Sequence, residues 1–159
     1  MPSRGFRVAV EEWTSADAER AWDVIVPVDL TTVFTGLKPA IPAVVGVREQ
    51  SGDWDAAGQT RKIDLADGSH TGEVIKSCER PALFTYTVGP FSGPVGKLVD
   101  RAEGEFKFES MSDGTHVRWT YVWIPKRGGA PIVWVLSKIW RIYARRCILS
   151  LVKLAEPVK

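Results

Sequence analysis

The chain has 159 residues, 45% of them hydrophobic and 25% charged, and its 21 Lys and Arg nearly balance 19 Asp and Glu. That length suits a single domain, residues 1–159, with room for a sizeable core. The charge balance gives no electrostatic reason to bind nucleic acid.

The first residues, Met1 to Gly5, hold no apolar run, so no secretory leader is expected. Phe6 to Glu11 alternates and predicts a first strand. Thr14-Ser15-Ala16-Asp17 reads as a helix cap. Ala18, Ala21, Trp22 and Ile25 then recur at helical spacing. Pro27 ends this helix and opens a second short one from Val28 to Phe34. Beyond Pro39 and Pro42 the period changes to two. Strands are predicted at Val44–Gln50, Gln59–Leu65, His70–Cys78, Leu83–Val88, Arg101–Ser110 and one ending at Trp123. Asp67-Gly68 and Ser112-Asp113-Gly114 are hairpin turns, because both Asp and Gly tolerate positive φ. Pro131 then opens a helix that runs to about Ala155.

Hairpin-linked strands with helices kept to one face predict an α+β fold. If Asp67 and Gly68 are the two central residues of their turn, Leu65 opposes His70, Ile63 opposes Gly72 and Arg61 opposes Val74. This register puts Arg61 and His70 on an inner face. It also puts Ile75 outside, a misfit that a bulge would repair. The facing rows Ala102, Gly104, Phe106, Phe108 and Val117, Trp119, Tyr121, Trp123 are rich in rings, and Gly72 and Gly104 remove side-chain volume from the sheet. On the last helix, Ile132, Val135, Leu136, Ile139, Ile142, Tyr143, Cys147 and Leu154 form the stripe expected to face the sheet. Lys138, Arg141 and Arg145 lie opposite. With Arg146 and Lys153 they interrupt the most apolar segment of the chain. A cation at the bilayer centre costs about 2.5–3.5 kcal/mol, so the helix is not expected to span a membrane. The basic side, with Trp134 and Trp140, can instead touch an anionic membrane surface or simply meet water.

Nucleophile and metal chemistry find little support. Cys78 and Cys147 are far apart and lack a CxxC pattern or a neighbouring His, which argues against zinc or a disulfide framework and fits a reducing cytoplasm. There is no GxSxG. His70 and His116 are expected on opposite-facing positions, so no metal site is predicted. Gly128-Gly129 makes no phosphate loop, although Lys126-Arg127 beside it can attract an anion. No cofactor is expected.

The order strand, two short helices, six strands, long helix resembles the helix-grip fold of START-like proteins. So do the stretches Val44-Val45-Gly46-Val47-Arg48, Gly52-Asp53-Trp54-Asp55, Gly58-Gln59-Thr60-Arg61, Ala102-Glu103-Gly104-Glu105-Phe106 and Val117-Arg118-Trp119-Thr120-Tyr121. Together they look like actinobacterial members of the polyketide cyclase/dehydrase and lipid-transport family. The resemblance covers nearly the whole chain. It implies a seven-stranded curved antiparallel sheet around the C-terminal helix, with a cavity between them.

Three functions follow as expectations. The first is a carrier or sensor of a hydrophobic small molecule, lipid or polyketide-like, contacted by Arg61, His70, Phe84, Tyr86, Phe106, Trp119, Tyr121, Ile139 and Tyr143. The second is a cyclase or dehydratase without metal or covalent nucleophile, in which Arg61 and His70 polarise a carbonyl and Tyr86, Tyr121 or Tyr143 supplies a proton. The third is a protein-interaction module, which a contiguous exposed apolar patch would favour. Oligomeric state is left open.

Overall fold

A computed structural model describes residues 5–157; the expectation for the first residues lies largely outside them. The described chain runs β1 (Phe6–Thr14), α1 (Ala18–Ile25), α2 (Leu30–Val33), β2 (Val44–Arg48), β3 (Thr60–Leu65), β4 (His70–Glu79), β5 (Leu83–Phe91), β6 (Val99–Met111), β7 (Gly114–Pro125) and α3 (Ala130–Ala155). The sheet is seven-stranded, in the order β1-β7-β6-β5-β4-β3-β2, and every pairing is antiparallel.

The caps form much as their chemistry dictates. The Asp17 carboxylate accepts from the Arg20 N–H at 2.8 Å and starts α1. Asp29 does the same for α2 through Thr31 N–H at 3.0 Å. That cap delays the second helix to Leu30, where Pro27 alone predicts a start at Val28. Trp22 anchors α1 to the sheet, edge-on to Phe84 at 5.9 Å and tilted on Phe108 at 5.4 Å. Arg20 donates from Nε to the Ala155 carbonyl at 2.6 Å and so satisfies the C-terminal end of α3.

The β3–β4 hairpin differs from the sequence expectation by one residue. Leu65 N–H donates to the Ser69 carbonyl and Gly68 N–H to the Leu65 carbonyl, so the loop is Ala66-Asp67-Gly68, with Gly68 at φ +88°. A three-residue loop with a left-handed glycine is the next hairpin choice after the two-residue turn. The Asp67 carboxylate favours it by accepting from Ser69 N–H at 2.9 Å. Arg61 therefore opposes Glu73, Ile63 opposes Thr71, and Asp64 opposes His70. A one-residue slip exchanges the faces of the return strand. His70 moves to the exposed outer face, Glu73 comes inside, and Ile75 is buried at 1% exposure, which removes its misfit.

The face of α3 also differs. Val133, Ser137, Trp140, Ala144, Cys147, Ile148, Leu151 and Ala155 are buried. Ile132, Val135, Ile142 and Leu154, expected inside, are roughly half exposed. Apolar residues such as Trp134, Val135, Ile142 and Leu149 stand among the cations as well, so periodicity alone does not single out the buried face. Close approach of helix to sheet chooses instead, and it selects the small residues Ser137, Ala144, Cys147 and Ala155. α3 packs mainly on β1, β7 and α1. The β3–β5 half of the sheet is thereby left for the residues that follow α2 to cover. No helix among the described residues is long and apolar enough to cross a membrane.

Candidate functional site

Between that half of the sheet, α3 and the segment after α2 lies a cavity of ≈ 200 Å³. Strand alternation places its deep wall: Tyr86 from β5 and Trp119, Tyr121 and Trp123 from β7 all point inward. Trp140 and Tyr143 descend from α3, one helical turn apart, and Leu136 lies one turn earlier. Ile63, Leu65, Thr71 and Glu73 form the floor from β3 and β4.

The rings interlock. Trp119 stacks on Phe106 at 5.2 Å and 5°, and Trp140 lies 4.6 Å from Tyr121, 5.3 Å from Trp123 and 5.5 Å from Tyr143. Trp119 donates from Nε1 to the Tyr86 hydroxyl at 3.0 Å, and Tyr143 accepts from Gly36 N–H at 3.0 Å, which ties α3 to the segment after α2. The indole N–H groups of Trp123 and Trp140 are sealed from the cavity and have no oxygen partner among the described residues. The two rings meet edge to face at 81°, a geometry in which an N–H can take a π face instead. The volume that Gly104 lacks is not empty. Gly104 pairs with Tyr86 across β5 and β6, and a Cβ on Gly104 would collide with that ring.

Glu73 is the one carboxylate in the floor of the cavity. Arg61 donates to its Oε1 from both Nε and Nη2, each at 2.7 Å, and both side chains are nine-tenths or more buried. The guanidinium in turn lies 4.0 Å over the Trp54 ring. Trp54 is 2% exposed and sits at φ +60°, a costly backbone for a bulky residue, held by this burial and stacking. Burial raises the pKa of Glu73, and Arg61 opposes the shift without cancelling it. Burial also drives Tyr86, Tyr121 and Tyr143 upward, so their phenols stay neutral. The Cys147 thiol on α3 is pushed up to about 12 by burial, and burial also raises the thiol of Cys78, unpaired on β4. Neither makes an activated nucleophile. Among the described residues no cluster of His, Cys, Asp or Glu is placed to hold a metal.

Of the nine residues expected at a ligand, Tyr86, Trp119, Tyr121 and Tyr143 line this cavity. Arg61, Phe84 and Phe106 instead line a separate void of ≈ 40 Å³ beneath α1. His70 is exposed on the outer face, and Ile139 is half-buried away from the lining. The polarising pair of Arg61 and His70 is therefore not assembled. Glu73, Trp140, Leu136 and Phe91 were not expected there. The hairpin register hid Glu73 and the choice of helix face hid Trp140. Trp134, by contrast, is half exposed beside Lys138, whose Nζ is 5.2 Å from its ring.

Solved structures share this architecture from end to end. Norcoclaurine synthase from Thalictrum flavum superposes with a TM-score of 0.70 at 16% identity, covering 100% of this chain and 98% of that one. MLL2253 from Mesorhizobium loti gives 0.64 at 16%, covering 94% and 96%. Ara h 8.0201 gives 0.59 at 15%, covering 90% and 95%. The chain has the helix-grip fold. At these identities the likeness concerns the fold alone. No protein-family model and no curated protein sequence matches the chain.

Proposed function

We propose that this helix-grip protein binds a compact hydrophobic molecule between its sheet and α3, as a carrier or sensor. The ring-walled cavity carries the reading. An apolar cavity of about 150 Å³ accepts benzene, so ≈ 200 Å³ suits one or two rings. A long lipid or an extended polyketide would require the wall to open. One neighbour, a point mutant of the Thalictrum synthase, was determined in complex with a transition state analogue, so the fold accommodates a small molecule in that protein. The expected result is saturable one-to-one binding of 2-naphthol, read by native mass spectrometry and by quenching of tryptophan fluorescence. Leu136→Trp, which fills the cavity from α3, is expected to weaken that binding at least about tenfold. Absence of a one-to-one adduct with the unmodified protein removes the reading.

The outer face of α3 favours an additional role at an anionic lipid surface. Ile132, Trp134, Val135, Ile142 and Leu149 are exposed there. The helix carries Lys138, Arg141, Arg145, Arg146 and Lys153 and no acidic residue. An apolar face with Trp and flanking cations suits the plane of an anionic bilayer, whereas pairing with a second copy would set cation against cation. Leu136, on the same helix, lines the cavity, so docking would place the lipid beside the ligand's wall. The protein is expected to sediment with phosphatidylcholine–phosphatidylglycerol vesicles at low salt and to be released at high salt. Retention of Trp134→Ser on those vesicles, or no binding by the unmodified protein, counts against this role.

A further inference from the structure

We propose that the molecule held in this cavity carries a protonated amine, as an aryl-alkyl ammonium ion of one or two rings. The inference rests on the cavity reading above and sharpens it to a ligand charge.

The charge pattern of the lining is one-sided. Asp67 at the rim and Glu73 in the floor are acids, and among the described residues no Lys, Arg or His lines the cavity. Arg61 neutralises Glu73 only from behind. Both of its contacts converge on Oε1, and the guanidinium sits in the separate void under α1, against Trp54. Among the described residues no hydrogen bond reaches the second oxygen, Oε2. Glu73 lines the cavity as well as that void, so the oxygen left without a donor belongs to a side chain of the cavity floor.

The walls complement a cation as well. Tyr86, Trp119, Tyr121, Trp123 and Trp140 line the same space with aromatic rings. Ring faces attract an ammonium ion most strongly where water is excluded. A neutral ligand would displace water from Oε2 and leave a carboxylate oxygen unpaired, while an anionic ligand would add like charge in a low dielectric. An ammonium group supplies the missing donor and steadies the ionised carboxylate that burial otherwise disfavours. The unpartnered indole N–H groups of Trp123 and Trp140 are closed off from the cavity, so they make no competing demand for an anion.

A matched series reads this directly: 2-(1-naphthyl)ethylamine, 2-(1-naphthyl)ethanol and 3-(1-naphthyl)propanoate, titrated by calorimetry at neutral pH into the unmodified protein. The ammonium compound is expected to bind at least about tenfold tighter than the alcohol, with the carboxylate weakest, as a charge-assisted bond outweighs a neutral one. Glu73→Gln is expected to bring the amine to the level of the alcohol and to change the alcohol little. Because that variant strands Arg61, the paired variant Arg61→Gln with Glu73→Gln serves the same comparison in a neutral background. Alcohol or carboxylate binding as tightly as the amine overturns the inference and leaves the cavity reading standing. Failure of all three to bind overturns both.

Discussion

Arg61→Met is expected to destabilise the protein by about 3–5 kcal/mol at neutral pH, because it leaves Glu73 buried without its partner. Both side chains are nine-tenths or more buried and the ion pair is short, so solvent screens little of the change. Against a typical total stability of about 5–15 kcal/mol this is a large fraction. Removing both charges together, as Arg61→Met with Glu73→Leu, is expected to recover most of the loss, since an apolar pair of similar volume needs no desolvation of ions. Urea denaturation at two pH values tests the cause. Glu73 already has a raised pKa, and without Arg61 it rises further. A carboxyl raised in the folded state holds its proton where the unfolded chain has lost it. Stability is then fully present below the unfolded value near 4.5 and is lost as pH climbs through the folded value. The deficit of Arg61→Met is therefore smaller at pH 5 than at pH 7. A deficit that is equal at both values, or below about 1 kcal/mol, would mean that Glu73 is not buried as a charge.

Trp119→Ala carries the second large effect, a loss of about 3–5 kcal/mol. Trp119 is 2% exposed. It stacks on Phe106, meets Phe34, Tyr121 and Trp140 edge-on, and donates from Nε1 to the Tyr86 hydroxyl. Truncation removes this contact area and merges new volume with the existing cavity. Trp119→Phe separates the two contributions, since it keeps a ring on Phe106 and loses the hydrogen bond; it is expected to cost about 1–3 kcal/mol. The midpoint and slope of denaturant unfolding measure both variants. A loss below about 2 kcal/mol for Trp119→Ala would show that Trp140 and Phe34 close over the gap, so that the cavity wall yields rather than holds its shape.

The hairpin between β3 and β4 shows how near a sequence reading comes to a site and still misses it. The turn was legible from Asp67-Gly68, and the inward position of Arg61 came through. One loop residue more than the two-residue turn, however, exchanged His70 for Glu73 on the inner face. The misfit of Ile75 was the clue available in the residues themselves, because the slipped register puts that side chain inside without a bulge before it. The aromatic wall was easier to read. Trp119, Tyr121 and Trp123 alternate on a strand whose two faces differ in polarity, and period two assigns them to one side whatever the rest of the chain does. On α3 apolar residues stand among the cations too, and Trp140, placed by the sequence on the basic side, is a cavity wall.

The order of elements, the Asp17 cap of α1, the places of the hairpins and the ring-bearing face of β7 were thus determined by the sequence alone. Each depends on contacts a few residues apart: a carboxylate and an N–H within one turn, a glycine at positive φ, an alternation of two. The register of β3 on β4, the buried face of α3, the filling of the Gly104 gap by Tyr86, and the placing of Glu73 rather than His70 at the cavity were decided by the tertiary structure. Those depend on how closely a curved sheet lets a helix approach and on which slip of a strand buries Ile75. Such energies belong to pairs of elements distant in sequence, and no local pattern carries them.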